Sequence, residues 1–181
     1  PGDAGSALIQ AGQISLQDYV LITSANVSCT SDGIQLQGVD SLSVSGFSQI
    51  TASTQTGEAG SVLVNADEAA ADVVLVSGEG SRIAAQATEA GGTAGSVAIN
   101  ATQLTVEAGA EVTVSSPQGQ AGNLDATAEQ IRLDNGTLAA EAGAGQGAVI
   151  TLQGLELLLL SNNGQISAQA FQDADGGNVV I

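Results

Sequence analysis

Histidine is missing from this sequence, and cysteine occurs once, at Cys29. Together these exclude an intrachain disulfide, a Cys–His nucleophile pair and a zinc or haem site built from the usual nitrogen and sulfur ligands. Cys29 sits in a turn-like stretch, 25–32, and reads as an unreactive thiol. Cations are almost as scarce. Arg82 and Arg132 stand against 19 acidic residues, giving a formal charge of −17. Nucleic acids and anionic lipids need a basic footprint, so neither is an expected partner. Aromatic residues make up 2% of the chain, too few to line an ordinary ligand pocket or a base-stacking platform. The longest leucine run, Leu155 to Leu160, is far too short to span a bilayer, and no signal peptide is present. Membrane insertion is not expected. A chain nearly free of Cys, Lys and His is compatible with an exported protein, and the expected location is the bacterial surface or the extracellular medium.

What the chain does contain is small and branched aliphatic residues, 24 glycines and a long period. The stretch Ala94 to Gly122 holds three runs, Val97-x-Ile99, Leu104-x-Val106 and Val112-x-Val114, separated by turn-forming residues. Period-two alternation places each pair on one side of an extended strand. The opening Gly-small-aliphatic phrase returns as Gly5-Ser6-Ala7, Asp32-Gly33-Ile34, Gly60-Ser61-Val62, Gly95-Ser96-Val97, Gly122-Asn123-Leu124, Gly147-Ala148-Val149 and Gly177-Asn178-Val179. Copies recur every 25–35 residues or so, a solenoid spacing. A second strand follows in step, as Ile14/Leu16, Leu42/Val44, Val74/Val76, Leu104/Val106, Ile131/Leu133 and Leu157/Leu159. The third is Ile22/Ser24, Ile50/Ala52, Ile83/Ala85, Val112/Val114, Leu138/Ala140 and Ile166/Ala168.

These columns predict an all-β fold, a right-handed parallel β-helix of about six coils with three short strands each. The chain 1–181 reads as one solenoid with coils starting near 5, 33, 60, 95, 122 and 147, and a seventh beginning at 177. Asn135-Gly136 and Asn163-Gly164 are hairpin signals, but a hairpin has no reason to keep a fixed long period. Stacked coils about 4.8 Å apart would place like residue on like. One coil buries roughly six aliphatic side chains at about 1.5–3 kcal/mol each. Ordering its residues costs about 1–2 kcal/mol apiece, so only several stacked coils hold together. Two places blur the register. The third coil carries an acidic insert, ADEAAAD from Ala66 to Asp72, read as a loop or short helical turn. In the sixth, Val149–Leu152 and Leu157–Leu160 are apolar in both phases, so the inward set is open there. Neither end reads as a polar cap: 1–5 looks like a turn into a coil and 178–181 stops in mid-strand. A fragment of a longer protein or an end-to-end subunit is therefore expected.

Chemistry is harder to find. Glycoside hydrolysis needs two carboxylates facing across a groove, and the acids here appear scattered, none in a column with Arg. No enzyme activity is expected. Asp173-Ala174-Asp175-Gly176-Gly177-Asn178 resembles the first half of a calcium loop but lacks the third spaced oxygen and the closing glutamate. Asp67, Glu68 and Asp72 in the insert form a second acidic group. Calcium at Asp173, Asp175, Asp67, Glu68 or Asp72 is the one cofactor these patterns suggest, and both are more simply turns. Asn26, Asn100 and Asn135 each begin an N-glycosylation acceptor triplet. Thr-x-Thr columns are absent, which argues against ice binding.

The stretches 92–101 (GTAGSVAINA), 103–115 (QLTVEAGAEVTVS) and 155–168 (LELLLLSNNGQISA) resemble the repeats of filamentous haemagglutinin-type exoproteins, in the repeat-rich form found in cyanobacteria. The likeness extends over essentially the whole chain and is weakest in the third coil. It implies a right-handed β-helical shaft in a large two-partner-secreted protein that passes an outer-membrane transporter and serves as an adhesin, a matrix component or a toxin carrier. Host surfaces, neighbouring cells or glycans would be its partners, along with further coils of the same helix. No catalytic residue carries over. The alternatives are a self-assembling filament subunit and a glycan-binding or polysaccharide-processing β-helix.

Overall fold

The computed structural model describes residues 5–181, of Asp173 the backbone only. The turn expected before Gly5 lies outside them. Seventeen strands and no helix make up the described chain. The first coil holds β1 (Ala7–Gln10), β2 (Gln13–Leu16) and β3 (Leu21–Ala25); the second holds β4 (Gly33–Gln37), β5 (Ser41–Ser45) and β6 (Gln49–Thr54). The third holds β7 (Ser61–Val64), β8 (Ala71–Ser77) and β9 (Arg82–Ala87). In the fourth and fifth coils the first two strands fuse, into β10 (Val97–Glu107) before β11 (Glu111–Ser116) and β12 (Leu124–Asp134) before β13 (Thr137–Gly145). Then follow β14 (Val149–Gln153), β15 (Leu157–Ser161), β16 (Gln165–Ala174) and β17 (Asn178–Val180).

Every ladder between these strands is parallel, so the chain is a β-solenoid of about six turns. One sheet carries the first and second strands of each coil, joined through β10 and β12. The other runs β16-β13-β11-β9-β6-β3. The interior is a set of ladders. Ile34, Val62, Val97, Leu124 and Ile150 stack in register, as do Leu42, Val74, Leu104 and Ile131, and all are 0–1% exposed. The third column runs Ile22, Ile50, Ile83, Val112, Leu138, Ile166, in the register the repeat predicts.

The sixth coil fixes the phase that its second strand leaves open in the sequence, and it is not the Leu157/Leu159 alignment of the repeat. Leu158 and Leu160, not Leu157 and Leu159, pair with Ile131 and Leu133. Leu157 and Leu159 lie on the outward phase, 49% and 43% exposed, while of the inward pair Leu158 is half-buried and Leu160 is itself 43% exposed. Ile150 and Leu152 are the inward pair of β14, one residue later than the Gly147-Ala148-Val149 phrase suggests, because Ala148 takes an extra buried place.

Two corner devices let the coils close. Between the second and third strands every coil passes through left-handed backbone: Asp18 and Tyr19, Gly46 and Phe47, Gly78 and Gly80, Ala108 and Gly109, Asn135, then Asn162 and Asn163. Asn tolerates this region well, so both Asn-Gly pairs turn a corner within a coil and make no hairpin. Before the first strand, Gly33, Gly60, Gly95 and Gly122 lie one above another with backbone against backbone. A Cβ on Gly95 would fall 2.2 Å from Gly60 O, and one on Gly60 2.2 Å from Gly33 N. The Gly-small-aliphatic phrase thus recurs because the corner has no room for a side chain.

The insert of the third coil is a loop over 65–70 with no helical turn, and Ala71 and Asp72 already belong to β8. Its anchor is Asn65, 3% exposed with φ 46°. Asn65 Nδ2 donates to Val39 O (2.7 Å) and Ala69 O (3.0 Å), and Val39 N donates to Asn65 Oδ1 (3.1 Å). Asn65→Ala leaves the Val39 amide and carbonyl buried without these bonds and keeps an αL position without Asn's tolerance. A loss of about 2–4 kcal/mol in urea unfolding is expected.

Candidate functional site

Of the acidic residues singled out from the sequence, Asp67 and Glu68 line the same surface hollow. Glu68 is already engaged: its Oε2 accepts from Gly38 N at 2.6 Å, and its carbonyl accepts from Asn100 Nδ2 at 2.8 Å. Asp67 and Asp72 are exposed, on the loop and on β8, and Asp67 borders a 160 Å³ hollow shared with Gln35 and Gln37. The backbone of Asp173 belongs to β16, its side chain lies outside the described structure, and Asp175 is exposed in the link to β17. Among the described residues no three acidic or cysteine side chains gather into a metal site. Of the acceptor asparagines, Asn26 binds Glu58 O and the Thr54 hydroxyl, Asn100 binds the insert, and Asn135 forms a corner.

The outer faces are more ordered than the sequence suggests. Arg82 and Glu111 are register partners on the β9–β11 ladder, so the expectation that no acid shares a column with arginine is corrected. The inward residues set the phase, and an outward column becomes visible only once that phase is fixed. Arg82 Nε donates to Gln49 Oε1 (3.0 Å), and Ser115 Oγ donates to Glu141 Oε2 (3.2 Å). Around them the six-stranded sheet carries two open depressions, of 350 and 240 Å³, and both are lined by Gln86. At the adjoining corner Tyr19 and Phe47 stack, ring centroids 5.1 Å apart and planes within 3°. Two of the three aromatic residues in the chain thus form an exposed ladder, 77% and 47% accessible, on backbone that bulky residues seldom adopt. Sequence counting could not see it, because the pair is 28 residues apart and meets only through the coil period.

One electrostatic node lies on the opposite sheet. Asp134 accepts from Asn162 Nδ2 and Arg132 Nη2, both at 2.6 Å. The Asn162 hydrogen bond chiefly, with help from Ser161 and Arg132 and against some desolvation, holds its carboxyl below the ordinary value of 3.8. A lowered folded pKa contributes stability at neutral pH that is lost only as the pH falls through that lowered value. Charge cancellation comes first, since the sequence pI is about 4.1. Acid titration is expected to give maximal turbidity near that pH with unchanged β-sheet circular dichroism, the fold outlasting solubility.

Comparison of the chain with family models, with curated proteins and with solved structures gives no match.

Proposed function

We propose that this chain is a non-catalytic β-helical shaft of an extracellular adhesive or matrix protein, displayed at a bacterial surface. The observation that carries the reading is the unbroken aliphatic interior, with like residues stacked from the first coil to the sixth under a strongly acidic exterior. Such a stack gains length by repetition and rigidity from hydrogen bonds along its axis, the properties a spacer needs. Its charge favours solubility and opposes nonspecific lateral association. The resemblance of the repeat to filamentous haemagglutinin-type exoproteins supports secretion through an outer-membrane transporter and contact with neighbouring cells or host surfaces. Electron microscopy of natively isolated material, with intact mass on the same sample, tests it. Rods from a much longer polypeptide are expected; globular particles overturn the reading.

A further inference from the structure

Of the two arginines, Arg132 is closed onto Asp134, and that is the single ion pair among the described residues. Arg82 is left open. Its register partner one coil on is Glu111, an opposite charge on the neighbouring strand, yet the two make no ion pair. The guanidinium turns the other way, its Nε donating to Gln49 Oε1 at 3.0 Å, and its Nη atoms have no hydrogen-bond partner among the described residues. A guanidinium has five N–H donors, so most of this group's capacity is unused.

Arg82 lines the 240 Å³ depression over β9, β11 and β13. Alternate residues of these strands face outward, so Arg82, Glu111 and Thr137 form one wall, and Gln86, Ser115 and Glu141 form the wall four residues further on. Arg82, Gln86 and Glu141 are half-buried. Glu141 Oε2 accepts from Ser115 Oγ (3.2 Å), and its second oxygen has no hydrogen-bond partner among the described residues. One depression therefore holds an open cation and an open anion at diagonally opposite corners.

We propose that this depression binds a free peptide of about three residues by its two charged ends, the carboxylate on Arg82 and the ammonium on Glu141. Strand rise and coil spacing put the Cα atoms of Arg82 and Glu141 about 16 Å apart. Side chains stand roughly perpendicular to a sheet, so their charged groups keep a similar separation. With a hydrogen bond of about 2.8 Å at each end, roughly 10 Å remains, the length of three extended residues at about 3.3–3.6 Å each. A single amino acid cannot reach both corners. The net charge of −17 repels a simple anion and draws a simple cation to the whole surface, whereas a neutral zwitterion gains only where both signs are held. Gln86, Ser115 and Thr137 on the walls can exchange hydrogen bonds with the peptide's amide groups. The sheet's own backbone cannot, because its amides and carbonyls are spent on parallel ladders. Recognition thus falls on the chain ends, which selects a free short peptide over a segment of a long one. The site rests on neither secretion nor adhesion.

The test is an amide NMR titration of the isotope-labelled full chain with trialanine, N-acetyl-trialanine, trialanine amide and 6-aminohexanoate. Saturable shifts are expected with trialanine at the amides of 82–86, 111–115 and 137–141. Arg82→Gln and Glu141→Gln should each weaken trialanine by about fivefold or more, the size of one lost charge-assisted contact, with unchanged circular dichroism. Arg132→Gln, which removes the other cation, should leave binding as it is. Acetylation should cost the parent about as much as Glu141→Gln does and cost that variant nothing further, and amidation should behave likewise with Arg82→Gln. The amide-free 6-aminohexanoate, whose end charges lie closer together, should bind several-fold more weakly. The proposal is overturned by the absence of saturable shifts or by shifts dispersed over the acidic surface. Blocked peptides or 6-aminohexanoate bound as tightly as trialanine, or equal losses from Arg132→Gln, overturn it too. Rod shape and intact mass change in none of these outcomes, so the shaft reading stands or falls separately.

Discussion

Gly95→Val is expected to lower stability by about 4 kcal/mol or more, a loss that single substitutions reach only through a specific steric or desolvation mechanism. The mechanism is contact between backbones. A Cβ at Gly95 would lie 2.2 Å from Gly60 O and 2.5 Å from Gly60 C, with Ala59 O at 2.7 Å. None of these atoms belongs to a flexible side chain that could swing away. Relief requires the third and fourth coils to separate at this corner. That would stretch the neighbouring bond from Val62 N to Ser96 O, now 2.9 Å, and disturb the Val62–Val97 ladder. Gly91→Ala is the matched control. Gly91 has φ 82° but nothing within 4 Å of its absent side chain, so only the left-handed penalty of roughly 1–2 kcal/mol applies. Urea unfolding of both variants separates the two effects. Equal losses would mean that glycine is there for its dihedral freedom and that the stacking corner is softer than its geometry indicates.

The same corner explains how much of this fold could be read beforehand. Gly-small-aliphatic repeats at a long period because close backbone approach and a buried aliphatic follow each other in every coil, and both constraints act on residue type. The inward columns are legible for the same reason: Ile50, Ile83, Val112 and Leu138 answer to one apolar environment. Outward residues answer only to solvent, so the Arg82–Glu111 column carries no pattern until the phase of each strand is known. Where solvent-facing positions are also leucine, as at Leu157 and Leu159, the period-two signal vanishes and the alignment of the repeat falls one residue out of phase with the observed register. Asn65 was illegible for another reason. Its value lies in Val39, 26 residues earlier, and in the αL turn that the insert needs. The Tyr19–Phe47 stack likewise joins residues that only the coil period brings together.

Leu104→Asp is expected to abolish folding of the whole chain, whereas Ile22→Asp should leave most of it intact. Leu104 is fully buried between Val74 and Ile131, themselves 0% and 1% exposed. A carboxylate there has no water and no cation, and even protonated it leaves a polar group and lost packing in the middle of the stack. The cost exceeds about 4–5 kcal/mol, a third or more of a typical total stability. Position makes it worse. Solenoid stability is a sum of weak coils and favourable interfaces, and coils on either side of a broken centre are too few to hold themselves. Ile22 lies in the first coil, only partly buried, with β6 as the partner of its strand among the described residues. Aspartate there can reach water, and fraying of one coil leaves the interfaces from the second coil onward in place. Hydrogen exchange reads the difference residue by residue. Leu104→Asp should lose protection throughout, and Ile22→Asp only over the first coil and the facing edge of the second. Graded, local loss in both would mean that each coil is stable with a single neighbour, and that the stack is less cooperative than its continuous core implies.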